Sequence, residues 1–172
     1  KNQLANQKIK LHEKYFIVGF SASGTFANRF SLLHPEKIKA TVSGGINAIP
    51  ILPIASFSDV RLDFPLGIAD IEEVTKKPLN LNAFKALPKL LFMGELDTND
   101  AVKYDDAYND NERKIVFDLM GEQLIPERWG FVKKIYQENK VNAIFKTYPN
   151  MGHGTDVKIN DEISAFLKEN SK

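Results

Sequence analysis

Serine, aspartate and histidine occur at three places in this sequence where a nucleophilic site could be built. The stretch Val18-Gly19-Phe20-Ser21-Ala22-Ser23-Gly24 stands where an apolar run meets a helix-like segment. Further on, Asp97 closes the turn Gly94-Glu95-Leu96-Asp97, and His153 lies between two glycines. A serine hydroxyl becomes a good nucleophile only when an imidazole accepts its proton and a carboxylate orients that imidazole. The three residue types therefore predict a Ser-Asp-His site.

Two of the three positions have a close neighbour of the same type. In the elbow pattern G-x-S-x-G, the strained turn admits only small residues two positions before and after the nucleophile. Here Ser23 replaces the second glycine, so the residues alone allow either Ser21 or Ser23 as the nucleophile. Asp100 follows Asp97 at a distance of three residues and is a second candidate for the acid.

The elements that must position these residues are four strands and four helices. Short apolar runs bounded by turn residues predict the strands Tyr15–Phe20, Ile38–Gly44, Lys89–Gly94 and Asn142–Tyr148. Apolar spacing and end signals predict the helices Gly24–Leu33, Glu112–Met120, Pro126–Asn139 and Asp156–Lys168. Strands that alternate with helices indicate βαβ units, so the predicted class is α/β: a mostly parallel sheet of about four strands flanked by helices.

With these motifs in order, the chain resembles the α/β-hydrolase superfamily over nearly its whole length. The family pattern places a His-Pro-Glu turn about thirteen residues after the nucleophile, and His34 is thirteen residues after Ser21 but eleven after Ser23. The resemblance therefore favours Ser21. It also implies that Asp97 is the acid, within the pattern G-x-x-D, with Asp100 as its rival.

The same resemblance implies a role for each residue and a function. Ser21 is expected to attack the substrate, His153 to carry the proton and Asp97 to orient the imidazole, while the backbone N–H of Ala22 stabilises the oxyanion. The expected function is a serine hydrolase that cleaves a carboxylic ester through an acyl-enzyme intermediate and needs no cofactor. A serine peptidase or amidase of the same fold is the alternative for a peptide-like substrate. A non-catalytic binding protein with the same fold is the rival outside enzymes.

The resemblance covers only the C-terminal half of the superfamily fold. We expect residues 1–172 to form one domain that is truncated at its N-terminus, in which 46–88 are a cap or lid over the carboxyl ends of the strands. The strand Tyr15–Phe20 would then be an exposed apolar edge. A missing N-terminal half or a partner chain is expected to cover this edge, and the second oxyanion donor is expected there too. The compartment, cytoplasmic or extracellular, is left open.

Composition and charge exclude several other classes. With 23 basic and 22 acidic residues, the net charge of +1 gives no basic surface for nucleic acid. No cysteine is present, and no apolar run reaches the roughly 20 residues of a membrane-spanning helix. An acidic group (Asp105, Asp106, Asp110 and Glu112) lacks the spacing of a calcium loop, so no metal site is predicted. Lys1–Lys14 is predicted to be a polar helix, and His12 and His34 are expected to have no catalytic part.

Overall fold

The computed structural model describes residues 12–104 and 108–171. Its strands are β1 (Tyr15–Phe20), β2 (Ile38–Gly44), β3 (Ser56–Phe57), β4 (Val60–Arg61), β5 (Lys89–Gly94) and β6 (Ala143–Tyr148). Its helices are α1 (Ala22–Leu33), α2 (Ile71–Thr75), α3 (Leu81–Ala86), α4 (Asp110–Met120), α5 (Trp129–Glu138) and α6 (Val157–Glu169). Residues 1–11 of the predicted polar helix lie outside the described residues, as do Asp105 and Asp106, and residues 12–14 are not helical.

The main sheet has four parallel strands in the order β1-β2-β5-β6. Its register places Gly19, Ser43 and Leu91 in one row across three strands. Because all four strands run the same way, the segments that follow β1, β5 and β6 meet at one edge of the sheet. This arrangement confirms the predicted α/β class and brings the serine, aspartate and histidine segments to the same end of the molecule.

Helices pack on both faces of the sheet, and on the α6 side Val18 and Ile144 of the two outer strands stay about half exposed. Successive residues of β5 point to opposite sides: Leu91 and Met93 belong to the core that includes α1, α3 and α5, while Leu90 and Phe92 pack with α6. Helix α1 lies very close to the sheet, since a Cβ added at Gly24 would be only 2.6 Å from the carbonyl oxygen of Gly44. Tight packing of α1 fixes the position of the turn that precedes it.

The segment predicted to be a cap contains short secondary-structure elements: the two-stranded hairpin β3-β4 and the helices α2 and α3. Residues 46–52, however, belong to the main core. Ile51 donates its backbone N–H to Asn28 Oδ1 at 2.8 Å and accepts a hydrogen bond from the Tyr136 hydroxyl at 2.9 Å. The same core also includes Leu62, Leu66, Ile71 and Phe84, so the segment 46–88 packs against the domain along much of its length. That it acts as a cap or lid stays a prediction.

All four predicted helices are present, and their assigned starts differ from the predicted ones by one to three residues. Helix α4 starts at Asp110 because the Asn109 side chain accepts from the N–H of Glu112 while the Glu112 carboxylate accepts from the N–H of Asn109, a reciprocal cap. The predicted helical start at Pro126 agrees with the backbone, because Ile125 is the extended residue of the turn 124–128 and Arg128 is already helical and leads directly into α5. No helix within the described ranges is long and apolar enough to cross a membrane.

Candidate active site

Ser21 lies at the sharp turn between β1 and α1 in a backbone conformation that is rare for a residue with a side chain. Its φ is 59° and its ψ is −129°. Its N–H donates to the Gly44 carbonyl at 2.9 Å, and its carbonyl accepts from the N–H of Thr25 at 3.1 Å, which begins the helix. The chain therefore turns from strand to helix within one residue, and the half-buried Ser21 side chain stands at the carboxyl edge of the sheet.

The glycine two residues before Ser21 is a steric requirement of this turn. A Cβ at Gly19 would be 2.0 Å from the carbonyl oxygen of Ser23, much closer than van der Waals contact allows. The residue two positions after Ser21 faces no such restriction, because Ser23 is exposed in the first turn of α1. A serine therefore fits where the pattern has a second glycine, and the strained position belongs to Ser21 and not to Ser23.

Asp97 and His153 come from the segments after β5 and β6 and meet directly. The Asp97 Oδ2 to His153 Nδ1 distance is 2.9 Å. The Asp97 side chain is 1% exposed, whereas the His153 side chain is 26% exposed. The imidazole therefore lies between a buried carboxylate and the solvent. Two backbone bonds tie the segments together, from Glu95 N–H to the Tyr148 carbonyl at 2.9 Å and from Leu96 N–H to the Met151 carbonyl at 2.8 Å.

A residue that the sequence reasoning missed connects these groups. Asn99 Nδ2 lies 2.9 Å from His153 Nε2 and 3.5 Å from Ser21 Oγ, and the Asn99 backbone N–H donates to Asp97 Oδ1 at 2.9 Å. One residue thus contacts the serine, the aspartate and the histidine together. Within the part of the chain that the structure describes, no direct hydrogen bond joins Ser21 Oγ to His153.

Asp100, the rival for the acid, points away from His153. Its carboxylate forms an ion pair with Arg128, whose side chain is 0% exposed, and its Oδ1 accepts from the N–H of Val102 at 3.2 Å. Lys103 Nζ lies 4.0 Å from the same carboxylate. Asp97 is therefore the aspartate that contacts His153. Asp100 instead stabilises the turn through Arg128 and the N–H of Val102.

An apolar cleft of about 310 Å³ opens beside the serine turn. Ala22 lies at one side of the cleft, and the rings of Phe26, Phe30 and Phe64 line it. Phe64 comes from the segment predicted to be a cap. Because Ala22 is the first residue of α1, its N–H lies among the first backbone donors of a helix, which have no acceptor inside the helix. An acyl oxygen bound there would meet a donor next to an apolar surface.

His34 lies far from the carboxyl edge of the sheet where Ser21 and His153 are found. His34 directly follows α1 as its C-cap, where its N–H donates to the Phe30 carbonyl at 3.0 Å and its ring lies 4.7 Å from the Phe30 ring. A helix of this length separates it from Ser21 by about 18 Å. His34 therefore caps the end of α1, away from the serine turn. Within 12–104 and 108–171, no cluster of acidic and histidine side chains could hold a metal ion.

Comparison with known proteins identifies the fold. No family model and no curated protein matches the sequence. Among solved structures, a single-substitution variant of Arabidopsis thaliana SOBER1 is 18% identical with a TM-score of 0.56, over 99% of this chain and 60% of that chain. Unsubstituted SOBER1 is 17% identical with a TM-score of 0.51, over 99% and 60%. The esterase PE8 is 18% identical with a TM-score of 0.49, over 98% of this chain and 55% of that chain.

The sheet order, the strand-to-helix turn and this similarity define the chain as having an α/β-hydrolase fold. The fold implied by the sequence resemblance is thereby confirmed. The chain spans about 60% of the length of SOBER1, one of the proteins it matches in structure. At an identity of 18%, the similarity concerns the fold, and the activity must be argued from the site itself.

Proposed function

We propose that the chain provides the catalytic residues of a serine hydrolase that cleaves a carboxylic ester. The observation that carries this proposal is the 2.9 Å contact between the buried Asp97 carboxylate and His153, at the same edge as the strained turn of Ser21. A carboxylate on Nδ1 leaves the lone pair of Nε2 directed away from it, toward the side where Ser21 and Asn99 lie. A histidine held in this way is a base for a serine hydroxyl.

In the proposed reaction, Ser21 Oγ forms a bond to the acyl carbon while its proton passes to His153 Nε2. The same proton then goes to the leaving alcohol, the carbon-oxygen bond of the ester breaks, and the acyl group stays on Ser21. Water attacks this intermediate with His153 again as the base, which releases the acid and restores the serine. Asp97 stabilises the imidazolium in both steps, and the N–H of Ala22 stabilises the oxyanion.

The cleft beside the serine turn supports an ester with an apolar group. The cleft beside Ala22 is lined by Phe26, Phe30 and Phe64, and a surface of this kind binds hydrocarbon by the hydrophobic effect.

Strand β1 is the edge of the described sheet, with Val18 52% exposed and Tyr15 40% exposed. As part of this proposal, another polypeptide segment covers that edge and supplies the second oxyanion donor.

Labelling with a fluorophosphonate tests the proposal in the intact protein. We expect one phosphonylated residue, identified as Ser21 by peptide mass spectrometry, with labelling lost in Ser21→Ala and retained in Ser23→Ala. Labelling of Ser23 would show that Ser23 is the nucleophile. If the folded protein is not labelled at all, the enzyme proposal is wrong and a binding function takes its place.

The bond type is tested separately with matched substrates. A p-nitrophenyl ester and a p-nitroanilide that carry the same acyl group differ only in the bond that is cleaved. Faster turnover of the ester, lost in Ser21→Ala, is the expected result. Preferential cleavage of the anilide would make the chain a peptidase or amidase instead.

A further inference from the structure

The contacts of Asn99 conflict with a site that is ready to react. A neutral imidazole has one lone pair, on the ring nitrogen that carries no proton. Because His153 Nδ1 faces the carboxylate of Asp97, the proton is on Nδ1 and the lone pair is on Nε2. Asn99 Nδ2 lies 2.9 Å from that nitrogen. With the lone pair on Nε2, the amide NH₂ group is the donor in this contact. The lone pair that should accept the proton of Ser21 is therefore already occupied.

The orientation of the Asn99 amide follows from the same argument. An amide oxygen turned toward Nε2 would place two acceptors against each other, whereas the NH₂ group supplies the donor that this nitrogen lacks. The same NH₂ group lies 3.5 Å from Ser21 Oγ, at the outer limit of a hydrogen bond. The Asn99 amide is thus within reach of both the nucleophile and the base, and within the described residues no hydrogen bond joins these two groups directly.

We propose that Asn99 is a positioning residue that latches the site in a resting state, because its amide and the Ser21 hydroxyl compete for one lone pair on His153. The inference rests on the proposed function and adds a control on when Ser21 becomes reactive. Asn99 is exposed, so a ligand that enters the site can reach its side chain. Its backbone stays fixed to Asp97 Oδ1, so release needs only rotation of the side chain.

The latch also has a consequence for the bound substrate. Once displaced from His153, the NH₂ group of Asn99 needs a new acceptor, since an unpaired donor in a filled site costs free energy. An oxygen on the alcohol side of the ester lies near His153 Nε2, because this nitrogen returns the proton to the leaving group. Esters with such an oxygen, for example a 2-methoxyethyl ester, are therefore preferred over butyl esters of nearly the same size.

The test uses the rate of fluorophosphonate inactivation in the intact protein. During labelling, Ser21 Oγ attacks phosphorus, fluoride leaves and the proton passes to His153, so the rate reports how free Nε2 is. Asn99→Leu keeps the size of the side chain but removes the donor, and Asn99→Ala removes the side chain beyond Cβ. Thr98→Ala, an exposed neighbour on the same turn, is the matched control.

We expect kinact to rise in both Asn99 variants by about two- to tenfold, the effect of removing one competing hydrogen bond, with KI unchanged. Thr98→Ala should react like the parent protein. The preference for the 2-methoxyethyl ester should disappear in Asn99→Leu. A merely structural part for Asn99 would lower the rate, so an unchanged or lower kinact in both folded variants overturns the latch. If the parent protein is not labelled, the proposed function fails instead, which separates the two outcomes.

Discussion

Arg128 and Asp100 form an ion pair that is almost completely shielded from water: the side chain of Arg128 is 0% exposed and that of Asp100 is 4% exposed. The ring of Phe117 lies 5.7 Å from the guanidinium carbon. The pair fixes the end of the turn on which Asp97 and Asn99 are placed. Two carboxylates three residues apart therefore have different partners, Asp97 a histidine and Asp100 an arginine.

Removal of Arg128 should destabilise the fold strongly. In Arg128→Met the Asp100 carboxylate would stay buried without its partner, a change that typically costs about 3–5 kcal/mol. The double variant Arg128→Met with Asp100→Leu removes both charges and should recover most of that loss. Urea unfolding measures the free energy of each protein. Equal stability of the single variant and the parent would show that water reaches Asp100 after all.

Substitution of Asp97 and substitution of Asp100 should also have different effects on kcat. If Asp97 orients His153, Asp97→Asn lowers kcat by about 10,000-fold, the loss seen when a triad histidine has the wrong tautomer. Asp100→Asn should change kcat little and act mainly on the free energy of unfolding. Hydrolysis of a p-nitrophenyl ester and urea unfolding, measured on both variants, check this assignment. A large loss of kcat in Asp100→Asn at unchanged stability would reverse it.

The fold could be predicted from the sequence because its signals are local. β1, β2 and β5 have the predicted ends, since each apolar run is bounded by turn residues. The strand-to-helix turn was also visible, because Gly19 precedes Ser21 by two residues. Pro126 was a local signal of the same kind, because it follows the extended Ile125 and begins the helical residues that lead through Arg128 into α5.

The parts of the site that escaped prediction depend on contacts between distant residues. Asn99 and His153 are 54 positions apart, and nothing near Asn99 in the sequence indicates that its amide meets an imidazole. Arg128 and Asp100 are 28 positions apart, so the partner of Asp100 was equally invisible. The choice between Asp97 and Asp100 needed the positions of both partners, which only the packing of the segments after β5 and β6 provides.

Gly19 should tolerate no side chain, in contrast to a glycine next to the histidine. A Cβ at Gly19 meets the Ser23 carbonyl oxygen at 2.0 Å, and backbone atoms cannot move away without opening the turn. Gly19→Ala should therefore lose fluorophosphonate labelling and lower the stability. At Gly154 an added Cβ meets nothing within 4 Å, so Gly154→Ala is the control and should label normally. Normal labelling of Gly19→Ala would mean that the turn is looser than described.

The backbone of Ser21 should store strain that a glycine relieves. A non-glycine residue held at a φ of 59° and a ψ of −129° lies in a sparsely populated region, which costs about 1–3 kcal/mol. Ser21→Gly removes that cost, although glycine loses about 0.5–1 kcal/mol through its greater freedom in the unfolded chain. Ser21→Ala keeps Cβ and the strain. We expect the glycine variant to be the more stable of the two by about 1 kcal/mol in urea unfolding; the reverse order would place the strain elsewhere.

Stability should depend on pH through Lys89, the first residue of β5, which is 1% exposed. Its Nζ donates to the carbonyl oxygens of Phe84 and Leu87 and lies 4.1 Å from the centre of the Phe84 ring. Burial lowers the pKa of Lys89 from 10.5 to about 7. Between these values the unfolded chain holds a proton that the folded chain has lost, so the free energy of unfolding rises with pH.

This contribution is absent below about pH 7, where both states are protonated, and grows toward pH 10.5 with a slope of at most about 1.4 kcal/mol per pH unit. Lys89→Met has a similar length and no charge, so it should lose the slope, and its stability relative to the parent should be greatest at low pH. Urea unfolding of both proteins from about pH 6 to about pH 9 isolates this group, because every other titration is common to the two. Parallel curves would show that Lys89 keeps its proton in the folded protein, with the two carbonyl oxygens and the Phe84 ring offsetting the loss of water.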